Sequence, residues 1–302
     1  MDHEPELTRE VDLRFPVDLK ATLRGVWRGT RDPSWRFRPD GIWRASRSPT
    51  GPATIRLVDR GRFVEVGAWG PGAQAALDGA ANLVGANDDD HGFAPEHPIV
   101  ARLWRDHRDV RMPRSSAVTE SLLACVLEQR VTTFEARRSM SQMATRWGEP
   151  APGPIDLTLP MDPEVLAGVP HYELHVLGIE RKRADTMRRV AANARRLDAL
   201  ATLPVAEARL RLVEVPGIGE WTAAEVALVA LGDADAVPIG DAHLPNDVTH
   251  VLSGRAVDDD AMLEALEPFA GHRGRVIRLL AAAGLRAPRR APRYAPRDIS
   301  DQ

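Results

Sequence analysis

VEVPGIGEWTAAEVALVALG, residues Val213 to Gly232, is the stretch that decides how this chain is read. An apolar helical pattern runs into Val213 and Val215, and a second begins at Glu220. Between them Pro216, Gly217, Ile218 and Gly219 leave room only for a tight turn. Gly217 and Gly219 reach backbone angles closed to other residues and place no side chain in the way. The amides that open the second helix then point outward, where an anion can settle on them. An ordinary helical hairpin with a glycine turn reads the same way to this point.

Further along lies AVPIGDAHLPNDV, from Ala236, in which a proline and a glycine precede Asp241 at the start of another helical segment. Taken alone, Asp241 would be read as a helix cap. Joined to the upstream turn, it suggests a helix–hairpin–helix that grips a DNA backbone without reading sequence, with a carboxylate beside it.

Outward from this pair, residues 98–285 are almost wholly helical in pattern. Helices are expected at 99–106, 118–148, 162–168, 172–178, 182–197, 205–213, 220–231 and 260–283. Residues 1–97 read as a mixed unit. Strands are expected at 12–17, 41–47, 53–58 and 62–68, with helices from Lys20 and over 71–85. The polar run ANDDDHG (86–92) reads as a breaker between the two, and residues 286–302 as an arginine- and proline-rich tail. The expected fold is α+β: an antiparallel sheet with helices, followed by an all-α core.

Composition narrows the choices. The 302 residues are 43% apolar and 27% charged, which is ordinary globular usage. One cysteine, Cys125, excludes a disulfide scaffold or a four-cysteine metal centre within the chain. No run of eighteen apolar residues appears and the start is acidic, so a soluble, cytoplasmic protein without membrane contact is expected. A net charge of −3 makes no global case for nucleic acid. Local charge does better: Arg181 to Arg196 holds seven basic residues against one acid. A solvated helix face would carry the same run.

Together, VPGIGEWTA, the downstream Gly240-Asp241-Ala242-His243-Leu244, ESLLACVLEQRVT (120–132) and LGIERKRADTMRRVAANA (177–194) resemble the helix–hairpin–helix DNA glycosylases. Within that superfamily the chain looks most like bacterial 3-methyladenine DNA glycosylase II. The resemblance implies a TATA-binding-protein-like first domain and a glycosylase core. It implies a monofunctional base-excision enzyme that hydrolyses the N-glycosidic bond of alkylated bases flipped from double-stranded DNA, acting as a monomer. By the same match Asp241 is the catalytic carboxylate and Trp221 lines the base pocket. Gln129 and Arg130 stand where the family inserts a wedge. Gly217, Gly219, Glu220, Arg181 and Lys182 contact DNA. Main-chain carbonyls of Val213, Val215 and Ile218 hold a monovalent cation, and no other cofactor is implied.

Two departures matter. Members that also nick the strand carry a lysine where this chain has Trp221, and neither of its two lysines, Lys20 and Lys182, lies near the motif in sequence. Glu225, Ala242 and Ala281 stand where the resembled pocket has other residues, aromatic ones included, and Glu225 is read as a polar contact to the base. The loss of rings leaves a second reading open, a helix–hairpin–helix DNA-binding protein with weak or no catalysis.

Overall fold

The computed structural model describes residues 4–255 and 257–288. Five strands form one antiparallel sheet in the order β1-β5-β4-β3-β2: β1 Leu7–Asp12, β2 Trp35–Arg38, β3 Gly41–Ser48, β4 Gly51–Asp59 and β5 Phe63–Trp69. Period-two alternation sorts the side chains. Val11, Ile55, Leu57, Val64, Val66 and Ala68 enter the main core, which also takes in Leu77, Ala80 and Leu83 of α2 (Ala73–Leu83). The opposite face carries Trp43 and Trp69, stacked at 5.1 Å and covered by Ile155, Leu157 and Leu159.

The first strand lies earlier than the alternation over 12–17 suggests. Leu7 to Asp12 pair with Ala68 to Phe63, whereas Pro16 has no amide for a ladder. Val17 is buried all the same. β2 was not expected; it is a four-residue edge strand paired with β3 from Trp35↔Arg44 to Arg38↔Gly41. α1 is short, Leu19–Leu23, capped by Asp18 through the Ala21 amide at 2.9 Å.

The helical part comprises α3 Pro98–Asp106, α4 Val118–Glu128, α5 Thr133–Trp147, α6 Pro163–Gly168, α7 His171–His175, α8 Arg181–Ala192 and α9 Ala194–Asp198. It continues with α10 Val205–Val213, α11 Glu220–Val226, α12 Leu244–Ser253, α13 Asp259–Leu266 and α14 Arg273–Ala282. α11 runs on as a π-helical turn over Ala227–Leu231. Three expected helices are each two. The 118–148 segment breaks between α4 and α5, where Arg130 has φ of +56°. Thr132 and Glu135 then form a capping box that restarts the helix, a T-x-x-E signal present in the sequence. Asn193 divides 182–197, and Gly271–His272 divide 260–283.

The main core joins sheet residues to α4, α8, α10 and α11, and a second core joins α3 to α12, α13 and α14. The acidic run at 86–92, read as a breaker, holds a buried ion cluster. Both Asp88 oxygens take the Arg275 guanidinium at 2.7 and 2.8 Å, and Arg111 lies 3.2 Å away. Three charges buried together need this mutual pairing, since any one left alone would be costly. Of the expected tail, residues 289–302 lie outside the described residues.

Candidate active site

α10 and α11 are joined by the expected hairpin. Gly217 has φ of +97°, and a Cβ there would run into the Thr186 hydroxyl of α8, so glycine is needed twice over. The Ile218 amide bonds back to the Val215 carbonyl at 2.9 Å, and Gly219 caps α11 with extended backbone. Two side chains from other elements brace the turn. Arg189 donates to the Pro216 carbonyl at 2.8 Å, and Gln129 donates to the Gly217 carbonyl at 3.1 Å and to Thr222 Oγ1 at 3.0 Å.

The hairpin, α8 and the α4–α5 turn therefore share one surface. Glu220, Arg181 and Lys182 are exposed on it. Lys182 is distant from the hairpin in sequence, yet its helix packs directly under the turn through Thr186. Gln129 has its amide engaged by the hairpin. Arg130 stands next to it, exposed and in a left-handed backbone, which costs a non-glycine residue about 1 kcal/mol or more. Arg183 holds the end of α4 by donating to the Leu127 carbonyl at 3.0 Å.

Asp241 lies where the Gly240 turn delivers the chain to α12. Its Oδ1 accepts the amides of His243 and Leu244, both at 2.8 Å, and its Oδ2 accepts the Trp221 indole N–H at 3.1 Å. The carboxylate thus takes up amides at the start of α12 and is oriented by the Trp221 indole. Asp241 and Trp221 are each half-buried, while Ala242 and Ala281 are exposed.

Glu225 follows Trp221 by one helical turn and sits on the same stripe of α11. Burial pushes its carboxyl up to about 7; Glu128 and Asp241 push the same way, against Arg28 and Arg278. Arg28, from the loop after α1, donates to Glu128 Oε2 at 3.3 Å and approaches Cys125 Sγ at 3.5 Å. Burial works against the Arg28 charge, but Cys125, Glu128 and Glu225 hold its pKa above the ordinary value. Burial drives the Cys125 thiol up to about 12, so it stays protonated. Arg278 of α14 donates to the Thr22 carbonyl at 2.6 Å, and burial lowers it to about 10. Gly25 makes that reach possible, because a Cβ there would collide with the Arg278 guanidinium.

Arg28, Cys125, Glu128 and Arg278 were not anticipated as part of this site. They come from three separate elements, and no spacing in the sequence connects them. Packing beside Arg28 and Glu128 is tight, with a void of about 10 Å³, room for one water at most. A larger cleft of about 560 Å³ opens at the β1–β5 end of the sheet beside Asp12, Arg60 and Phe63, and none of the site residues lines it.

No family profile matches the chain. A Mycobacterium tuberculosis protein described as a probable bifunctional transcriptional activator/DNA repair enzyme AlkA is 29% identical over 136 residues, covering 43% of this chain and 27% of that protein. A putative DNA-3-methyladenine glycosylase, YfjP, of Bacillus subtilis is 22% identical over 151 residues, covering 49% of this chain and 52% of its own length. The matches thus span about a quarter to a half of these relatives. Among solved structures, a 3-methyladenine DNA glycosylase from Archaeoglobus fulgidus superposes with a TM-score of 0.76 at 17% identity, over 90% of this chain and 97% of that one. An 8-oxoguanine glycosylase/lyase from Clostridium acetobutylicum, bound to DNA, gives 0.69 at 12% identity, over 93% and 98%.

Proposed function

We propose that this chain, which has the fold of the helix–hairpin–helix DNA glycosylases, is a monofunctional glycosylase that releases alkylated bases from double-stranded DNA. One observation carries the reading: a single carboxylate, Asp241, oriented by the indole of Trp221 and standing on the turn that leads into α12. Cleavage of a C1′–N bond builds positive charge on the sugar, and a fixed carboxylate beside it stabilises that charge and orients the attacking water. An alkylated purine is already cationic, so it leaves without an added proton. Stacking on the Trp221 ring favours such a base.

The hairpin supports backbone binding through the amides at the start of α11, with Arg181, Lys182 and Arg189 close by on α8. Three main-chain carbonyls, of Val213, Val215 and Ile218, are a hard, uncharged oxygen set that suits a monovalent cation. The Val215 oxygen takes the Ile218 amide and keeps a second lone pair. A cation held there would add positive charge next to the phosphate. Arg130, exposed beside Gln129, is the side chain available to fill the gap left by an everted base.

Trp221 occupies the position of the strand-nicking lysine, which supports hydrolysis ending at an abasic site. No helix among the described residues is long and apolar enough to cross a membrane. The test is base release from methylated duplex DNA. Wild type is expected to release alkylated purines, and Asp241→Asn to lose on the order of 10³-fold in rate. Release that persists in the variant removes Asp241 from the chemistry. Tight binding without release by wild type favours a non-catalytic DNA-binding protein, and strand breaks without alkali or heat contradict the monofunctional reading.

A further inference from the structure

Much of the basic run on α8 is engaged within the protein. Arg183, Arg188 and Arg189 donate to the carbonyls of Leu127, Ala167 and Pro216, and Arg181 and Arg195 face Asp185 and Glu164 at 3.8 Å. Guanidinium charge without a counter-ion gathers instead where the α1–β2 loop lies against the first turns of α5. Neither Arg31 of the loop nor Arg137 of α5 enters an ion pair or hydrogen bond among the described residues.

Their placement is specific. The exposed Arg31 stands 5.2 Å over the ring of Phe134, a large apolar side chain that is itself 50% exposed. Arg137 follows Phe134 by one helical turn and is half-buried, with its Nε hidden and unpartnered. A Cβ on Gly29 would come within 2.7 Å of the Arg137 Cζ and 2.9 and 3.0 Å of its terminal nitrogens. Such near-equal distances mean that the guanidinium turns its face to Gly29, which leaves the N–H edge uncommitted. Buried Asp32 fixes the loop by accepting the Arg28 amide at 3.1 Å and the Ser34 amide and hydroxyl at 3.0 and 2.6 Å. The carboxylates of these segments are thus already engaged: Asp32 by its own loop, Glu128 by Arg28, and Glu135 by the Thr132 cap. Two forks without counter-ions, one set by an aromatic ring and the other by a glycine, suit the paired hydrogen bonding of phosphate oxygens.

We propose that the α1–β2 loop and the start of α5 form a second DNA-backbone contact, in which Arg31 and Arg137 take phosphates of the duplex held at the hairpin. This inference rests on the glycosylase reading and extends the DNA contact to a loop that enters the sheet. The surface continues from the turn that carries Gln129, whose amide is bonded to the hairpin, and the exposed Arg130. Phe134 lies at most about 14 Å of chain beyond Arg130, or about four base steps of duplex. One stretch of DNA therefore reaches both.

The test measures binding of an undamaged duplex, and of the same duplex after methylation, by fluorescence anisotropy from about 50 to 200 mM salt. Each phosphate contact adds about 0.9 to the slope of log affinity against log salt. Arg31→Gln and Arg137→Gln are each expected to flatten the slope by that amount and to weaken binding about tenfold at the lowest salt. Both duplexes are expected to respond alike, since backbone contacts carry no base information. Arg31→Lys is expected to restore the slope, which counts charge rather than geometry. Arg62→Gln, at an exposed arginine of the β4–β5 turn, controls for net charge and is expected to keep the wild-type slope. Thermal unfolding separates a lost contact from a loosened loop in Arg137→Gln, and Arg31, lying on the surface, is free of that ambiguity.

An unaltered slope in Arg31→Gln, an equal drop in Arg62→Gln, or weakening confined to the methylated duplex overturns the inference. The glycosylase reading stands in each of these cases as long as wild type binds duplex and releases methylated bases. A wild type that does neither overturns both.

Discussion

At the rim of the site, main-chain carbonyls do the holding. Pro216, Val215 and Gly217 accept bonds from Arg189, Ile218 and Gln129, and a left-handed glycine sets the path of the chain. At the floor, four ionisable side chains from the α1–β2 loop, α4, α11 and α14 act on one another by charge, Arg28, Glu128, Glu225 and Arg278, with the neutral Cys125 thiol packed against Arg28. The rim is therefore sensitive to volume and backbone angle. The floor is instead sensitive to charge, because each ion there is compensated only by its neighbours. One site can thus be rigid along its main-chain rim and titratable at its charged floor.

The comparison breaks most readily at Arg28. Arg28→Met keeps the volume but leaves Glu128 and Glu225 without their cation, and a loss of about 3 to 5 kcal/mol in denaturant unfolding is expected. A loss below about 1 kcal/mol would mean that the floor is wetter than its burial implies. Glu225→Gln probes the opposite sign. The native carboxyl is raised from 4.5 to about 7, so its ionisation in the folded state is disfavoured and the stability associated with its proton is lost as pH rises through 7. The variant should match wild type below pH 4.5 and exceed it by on the order of 3 kcal/mol at pH 8. A stability difference that does not vary with pH would contradict the buried placement of this group.

At the rim, Gly217→Ala should cost about 2 kcal/mol, since it combines a positive φ with a clash at Thr186. DNA affinity should fall with it, and pairing the change with Thr186→Gly should recover only the steric part. The smallest effect is expected at Arg130→Gly. Relief of its left-handed backbone should stabilise the protein by about 1 kcal/mol in thermal unfolding, while base release falls if the side chain fills the stack. Stabilisation with unchanged release would assign Arg130 to the surface alone.

The hairpin, the helix start after Asp241 and three of the five strands were all legible along the chain. Each is written in neighbouring residues, as glycine at a forbidden angle, proline at a first turn, or period-two alternation. The break at Arg130 was also marked, by the Thr132–Glu135 box, but the apolar pattern of 118–148 ran through it. The strand at Leu7–Asp12 was displaced in the reading because Leu13, Phe15 and Val17 continue the alternation beyond the last residue that β5 can pair.

ANDDDHG illustrates the remaining difficulty. Its acids look like solvated loop chemistry until Arg275, 187 positions later, arrives at Asp88. The floor beneath Trp221 has the same origin. Arg28 and Glu128 are 100 positions apart, and Arg278 meets Thr22 across 256. Short-range sterics and hydrogen bonding settle turns and helix ends, because both partners lie within a few residues. Which charges share a low-dielectric space depends on how distant segments pack, and only the assembled tertiary structure could bring Glu225 into the company that shifts its proton.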